Sequence, residues 1–418
     1  MAEKASRLVD CGESNEGLSV LRAACSITMS VVGIGMLVLP LIAARCGIVT
    51  GTCLFIIAAV LTYMGGLILS KSLSMNPNTP ATVIPSFEAL GFVAFGRPVG
   101  LYFALVVHVM LNGICAGLLV LQASISLSLT HVLTWRLWIV IWIAVGIPLS
   151  WVKEMKNVGL LAAAGVTSSI SLLVIVIVAC VQRLVSEGPP GGYVFTTNEP
   201  WVIIGSLSTY IFPFVHAMTC PTIMSSMNQP VKYPIALSIA TVLLVVLYGS
   251  VMILGYLAFG NNLLNYDTIA DDIAPTTGRL PVIGWILNIV IIVVVATHYV
   301  VLLSPTARVL DNVVSVVVEK WAVSPRLSRF LVLAARSGLV ILQGLVGIAF
   351  LSVNKLVTFL GALCAVQISI IIPLISYIRL RSLNGSPVGP LQLVMSSFTI
   401  IVSLFVVVVA IFMTARQL

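Results

Sequence analysis

The stretch FPFVHAMTCP, residues 212–221, sets Pro213, His216 and Pro221 inside an otherwise apolar run. Proline removes a backbone donor and breaks a helix. Inside a bilayer, broken backbone survives only where protein covers it or where it lines a polar cavity. VVGIGMLVLP, residues 31–40, has the same character: Gly33 and Gly35 flank Ile34, and Pro40 follows. These interruptions fall in the first and sixth of eleven predicted spans. Breaks five spans apart are what a five-plus-five inverted repeat produces, with both discontinuous helices meeting at the midplane to form a substrate site.

Composition points to the same solvent. The 418 residues are 60% hydrophobic and only 8% charged, with a mean hydropathy of +1.16. A water-soluble domain carries about 25% charged residues. Residues 1–18 are polar, with no cleavable signal pattern, and read as a cytoplasmic N-terminal segment. The eight cysteines show no paired spacing and read as small buried hydrophobes. Neither a disulfide framework nor a metal site is expected.

Apolar stretches of about 20 residues place spans at 19–44, 48–73, 99–127, 134–151, 158–181, 201–227, 233–258, 281–304, 330–350, 355–378 and 389–414. The segment 84–98 is too short and interrupted to span and reads as an interfacial helix. The first five-span repeat is expected over 19–181, a non-cytoplasmic loop over 182–200, the second repeat over 201–380 and an eleventh span over 389–414. With a cytoplasmic N-terminus, fifteen of the 21 basic residues lie on the cytoplasmic side. Only Arg45, Arg136, Arg183, Arg279, Lys355 and Arg416 face the other way. The positive-inside rule favours that orientation, with the C-terminus lumenal or extracellular. It also explains the net charge of +8 without nucleic acid. The one glycosylation pattern, at Asn384, then falls in a cytoplasmic loop.

Amide groups around Gly33, Ile34, Gly35 and Met36 suit a carboxylate at the start of the half-helix that follows. Carbonyls freed near Phe212 and Phe214 suit an ammonium, with His216 and Thr219 in the same broken segment. An amino acid carries both charges. No acidic residue lies deep in a span, which favours neutral substrates over cationic ones. His108, His216 and His298 are the titratable groups within spans, and Asn112, Tyr210, Thr219 and Gln367 are polar groups on midspan faces. Trp135, Trp138, Trp142 and Trp151 bracket span 4 and read as interface anchors.

VVGIGMLVLPLIAARCG (31–47), FPFVHAMTCPTIMSSMNQPVKYP (212–234), GYLAFG (255–260) and TFLGALCAVQISIIIPLISYIRL (358–380) together resemble the amino acid/auxin permease family. The resemblance runs from about residue 18 to the end. KNVGLL (156–161), MNQPVKYP (227–234) and HYVVLLSP (298–305) look closest to the vesicular and vacuolar branch. This resemblance implies an all-α LeuT-type fold and secondary active transport of amino acids, in a vacuolar, lysosomal or vesicular membrane rather than the plasma membrane. Sodium-coupled members carry an asparagine four residues before the first glycine of the motif, where this chain has Met29, a poor sodium ligand. Thr297 remains as a possible ion-site hydroxyl. His298 stands where that branch tends to have lysine, so proton coupling through His298, or through His216, is expected. No cofactor other than the coupling proton is expected.

Two alternatives stay open: a sodium-coupled transporter, and an amino acid sensor or signalling scaffold with little transport. A channel would want a polar ring along several spans, which the sequence lacks. Enzymatic chemistry is rejected, because no nucleophile, metal cluster or nucleotide loop is visible. The expected partners are an amino acid and the lipid bilayer. Protein partners, oligomeric state and the identity of the amino acid are not legible.

Overall fold

A computed structural model describes residues 17–77, 82–130, 132–151, 158–275, 281–321 and 324–417, with side chains of 158–166 excepted. The predicted N-terminal segment 1–18 lies almost wholly outside these residues, as does Cys11.

Each of the eleven predicted stretches is helical, and the span numbers are kept for them. Among the described residues nine helices are long and apolar enough to cross a membrane, or ten with the bent pair Val20–Val31 and Ile34–Cys46 taken as one. Trp135–Ser150, span 4, is apolar but has only 16 residues. Short polar side chains and prolines start several helices. Ser86 Oγ accepts from Ala89 N at 3.0 Å, Ser352 Oγ accepts from Lys355 N at 3.2 Å, and prolines open Pro200–Ile211 and Pro325–Phe350.

Three boundaries depart from expectation. Span 8 runs Val282–Lys320, well past the predicted 304, because TARVLDNVVSVVVEK (306–320) contains no glycine or proline to stop it. The predicted interfacial segment is a nine-residue helix, Phe87–Phe95, packed on the start of span 3 and anchored where Arg379 Nε donates to Ala94 O at 3.2 Å. Span 10 is not uniformly α-helical: Gly361–Ala365 and Gln367–Ile371 are π turns between Val353–Leu360 and Ile372–Leu383.

Packing puts span 1 at the centre. From Ile34 to Ala44 every residue of its second half is buried. Span 7 lies along both halves of span 1 and against span 5. Span 2 lies against the first part of span 6 and against span 10. Span 3 pairs with span 8 and span 4 with span 9, and spans 3–4, 8–9, 5–8, 3–10, 3–9 and 4–8 also touch. Exchanging each number for the one five away maps these pairs onto one another, whereas the contacts of span 1 with span 2 and of span 6 with span 10 have no comparable counterpart among the described residues.

Two kinds of contact hold the layers. Spans 2 and 10 meet at Gly65, where a β-carbon would sit 1.7 Å from Ser369 O, so no larger residue fits. Spans 3, 8 and 9 are joined by polar side chains. His108 Nδ1 bonds Thr306 Oγ1 at 3.0 Å, Asn112 Nδ2 donates to Thr306 Oγ1 at 3.2 Å, and Gln343 Nε2 donates to Asn112 Oδ1 at 2.7 Å. Tyr299 completes the chain by donating to Gln343 Oε1 at 2.7 Å. At one end Arg336, nearly fully buried, pairs with Asp311 at 2.6 Å and donates to Ser150 O at 2.7 Å, tying spans 8, 9 and 4. The tryptophans of span 4 do more than mark an interface. Trp142 donates to Ser126 at 2.8 Å, Trp135 to Ser124 at 3.3 Å and Trp151 to Ser337 at 3.0 Å. The cysteine expectation needs correction at two positions: Cys25 and Cys53 are exposed on helix surfaces, while Cys46, Cys115, Cys180, Cys220 and Cys364 are buried.

On the outer side, meaning the side where span 1 ends, the loop after span 7 folds into a short helix, Ile269–Ile273, packed on spans 1 and 8. Asp272 in this helix is buried and accepts from Asn262 Nδ2 at 3.1 Å on both carboxylate oxygens. Burial pushes its carboxyl up to about 6, against the opposing pull of Arg183 and the Asn262 bond, with Glu187 adding to the rise. A carboxyl raised on folding binds its proton more tightly in the native state. Its contribution is therefore present below the unfolded value of about 3.9 and is lost as pH rises through 6. Thermal unfolding at pH 4.5 to 7.5 should show stability falling with pH, by at most about 1.4 kcal/mol per pH unit from this group, and Asp272→Asn should flatten that slope.

Candidate functional site

Span 1 breaks at Val32-Gly33, where its halves meet at a 62° bend. Val32 N still reaches Thr28 O at 3.2 Å, but beyond it the helical ladder stops until Met36 N finds Gly33 O at 3.3 Å. The carbonyls left on the first half are covered from other spans. The buried Tyr248 of span 7 donates its hydroxyl to Val31 O at 2.8 Å. His298 of span 8 is half-buried and bonds Val294 O of its own helix through Nδ1 at 2.9 Å, with the Val32 and Met29 backbones of span 1 nearby. The imidazole of span 8 and the backbone of the first half of span 1 therefore lie together at this break.

Span 6 breaks in two steps. Pro200–Ile211 gives way to tight 3₁₀ turns at Phe212–Phe214 and His216–Thr219, then to Cys220–Ser225. Pro213 and Pro221, which remove donors, bracket the irregular part. The two breaks touch: a β-carbon on Gly35 would lie 3.1 Å from Pro213 Cγ and 3.3 Å from Phe212 Cδ1. On the N-terminal side the Ser30 and Thr219 hydroxyls lie 3.1 Å apart, so that one donates to the other while the other donates to its own segment, at Ile27 O or His216 O.

The predicted residues thus occupy one region but differ in what they face. Gly33 is half-exposed, and a β-carbon there would meet nothing within 4 Å. Ile34 is buried with Cδ1 toward Gly117 of span 3, Gly35 is packed on span 6, and Met36 is fully buried. Phe212 is buried beside Gly35. Phe214 lies in an aromatic cluster with Phe55 and Tyr248, at 5.3 and 5.5 Å between ring centres. His216 is fully buried against Gly66 of span 2, and among the described residues neither ring nitrogen has a hydrogen-bond partner. A buried unpaired polar group of this kind is costly. The Thr297 hydroxyl bonds its own helix at Val293 O and Val294 O, 3.0 and 2.9 Å away. Of the midspan polar residues, Asn112 belongs to the inter-span network described above, and Gln367 bonds Leu363 O and accepts from Tyr102. Tyr210 is fully buried with no partner for its hydroxyl among the described residues.

Sequence reasoning missed Tyr248 and Ser30. A lone tyrosine inside LLVVLYGSVMIL (243–254) was a signal, but nothing local shows which carbonyl it reaches.

Gly33 and Gly35 should respond differently. Gly33→Ala adds a methyl to open space, so expression and thermal stability should stay near wild type while affinity for a transported amino acid falls. Gly35→Leu forces side-chain atoms into Pro213 and Phe212 and should destabilise the fold by about 1–3 kcal/mol, read as a lower unfolding temperature in detergent.

The pattern of the family described as "Transmembrane amino acid transporter protein" matches residues 16–416. "Amino acid transporter AVT1E" of Arabidopsis thaliana is 23% identical over 363 residues, 83% of this chain and 64% of that protein. "Lysine histidine transporter-like 3" from the same organism is 24% identical over 375 residues, 84% and 79% of the two chains. "Vacuolar amino acid transporter 4" of Saccharomyces cerevisiae is 31% identical over 120 residues, 28% of this chain and 16% of that protein. The match spans slightly less than two thirds of the AVT1E relative. These relatives are transporters by name and not enzymes. With the family pattern covering nearly its whole length, the chain belongs to the transmembrane amino acid transporter family.

Proposed function

We propose that this protein is a proton-coupled secondary transporter of small or neutral amino acids, working by alternating access on a LeuT-type five-plus-five inverted repeat. The set of packed pairs that survives exchange of the halves supports the repeat. The breaks of spans 1 and 6, in contact through Gly35 and Pro213, support a midplane substrate site. In this reading the substrate carboxylate takes the free amides at the start of Ile34–Cys46, beside Gly33, where a helix N-terminus favours negative charge. The ammonium takes carbonyls released by the 3₁₀ turns around Phe212 and Phe214, and His216 and Thr219 border the same space.

The observation that carries proton coupling is the surroundings of His298. Its ring bonds the Val294 carbonyl and lies near the backbones of Val32 and Met29. Carbonyls only accept, so an imidazole with a proton on each nitrogen suits this cradle better than one with a bare lone pair. Gain or loss of the proton changes the charge of span 8 beside the first half of span 1, which biases one access state against another. The names of the vacuolar relatives support a vacuolar, lysosomal or vesicular membrane, and the basic-residue asymmetry supports a cytoplasmic N-terminus.

Proteoliposomes with an imposed pH gradient and no membrane potential provide the test. One proton per amino acid allows up to about tenfold accumulation per pH unit. His298→Gln should reduce gradient-driven accumulation to none while exchange of amino acid across the membrane continues. Accumulation that requires sodium and ignores pH in the wild type would overturn proton coupling. Saturable binding without any transport would favour a sensor.

A further inference from the structure

Away from the central breaks, the outer side holds a cavity of about 360 Å³, within the range of about 300–1,000 Å³ typical of small-molecule sites. Its walls come from the end of span 1, the 188–199 loop, the first half of span 6, the loop after span 7, the start of span 10 and the end of span 11. The polar part includes Arg45, Ser206, Thr209, Asn354 and Thr358, and the apolar part includes Trp201, Val202, Leu264 and Met413.

Arg45 sets the chemistry. Protein surrounds it, yet its side chain is exposed, because it opens onto this cavity. With the Asn354 amide oxygen turned toward it, Asn354 accepts from the two terminal guanidinium nitrogens at 3.2 and 2.8 Å. That contact uses two of the five N–H donors and holds the fork in one orientation. Asp267 is near enough to act on Arg45 electrostatically, but its Oδ1 accepts from Ser352 at 2.7 Å. Among the described residues no carboxylate lines the cavity. The site therefore offers an oriented cation, hydroxyls and an apolar wall, with its nearest acidic neighbour, Asp267, set outside the lining and bonded to Ser352. A carboxylate pairs well with such a fork, whereas an ammonium is repelled.

We propose that this cavity is a second, peripheral site for small aliphatic carboxylates, with the carboxylate on Arg45 and the tail against Trp201 and Met413. It goes beyond the central transport site, because it recognises no ammonium. Its floor includes Thr209 and Thr358, whose hydroxyls are 3.3 Å apart. Thr209 lies one helical turn before Phe212, so an occupant sits directly outside the central break.

The test uses the purified full chain in lipid nanodiscs and the fluorescence of Trp201, identified as the signal absent from Trp201→Phe. The probes are 4-methylpentanoate, a carboxylate with a branched apolar tail, and 3-methylbutylamine, which replaces the carboxylate with an ammonium. The acid should give a saturable change and the amine none. Arg45→Gln should weaken binding of the acid by about tenfold or more, as expected for loss of charge-assisted hydrogen bonds. Gly205 also lines the cavity, and a β-carbon there would meet only Met413 Cγ, at 4.0 Å. Gly205→Leu should therefore fill the space and abolish the signal with Arg45 intact, which keeps the test valid if Arg45→Gln fails to fold. His298→Gln should leave binding unchanged, separating this site from the transport reading. The absence of a saturable change with the acid, an equal response to the amine, or unweakened binding in folded Arg45→Gln or in Gly205→Leu would each overturn the proposal.

Discussion

Backbone that cannot bond to itself inside a bilayer must be covered by something else, and the centre of this structure follows from that requirement. Each orphaned amide or carbonyl costs several kcal/mol in hydrocarbon, and the break at Val32-Gly33 creates several at once. Tyr248 covers one carbonyl from span 7 and His298 approaches others from span 8. A helix that needs partners from several directions must be surrounded. This is why the second half of span 1 is buried from Ile34 to Ala44 while most other spans keep one exposed face.

The surrounding helices are held by chemically different contacts. Spans 3, 8 and 9 share directional side-chain bonds running from His108 to Tyr299, and the Arg336–Asp311 pair adds a charged clamp. Such bonds resist sliding, since displacement leaves polar groups unpaired in an apolar medium. Spans 2 and 10 instead touch through backbone at Gly65, a close but non-directional contact. The first group has the properties of a frame and the second those of a bearing surface. His298 projects from the frame onto the broken helix.

Much of this arrangement was legible in residue order. Glycine and proline interrupting two apolar stretches located both breaks, because these residues act on backbone irrespective of what lies nearby. Helix ends were less legible. Span 8 continues beyond its apolar run because helix formation does not require a membrane, only the absence of a breaker. The least legible features were contacts between distant segments. His298 could be singled out as titratable, but its approach to Met29 and Val32 depends on the rotation of span 8 against span 1, which no local pattern encodes. Gly33 and Gly35 looked equivalent in sequence. One faces open space and the other packs on Pro213, because Gly33 lies in the extended break before the helix while Gly35 lies within its first turn. Arg45 could be counted toward orientation, yet its cavity is assembled from six separate segments.

The π turns of span 10 give that helix an unusual mechanical property. A π turn is an α-helical turn with a residue to spare, and the stretch from Gly361 to Ile371 stores that surplus without losing its backbone bonds, Val366 N closing on Gly361 O and Ile372 N on Gln367 O. If the surplus residue migrates along the chain, the segment between its old and new positions turns about the helix axis by about 100° per residue. Each step exchanges one hydrogen bond for its neighbour and leaves none permanently open. Leu363 and Gln367 lie within that segment and would change the faces they present to spans 3 and 6. Span 10 can thus be re-phased without being bent, which allows its lining to change while its ends stay fixed.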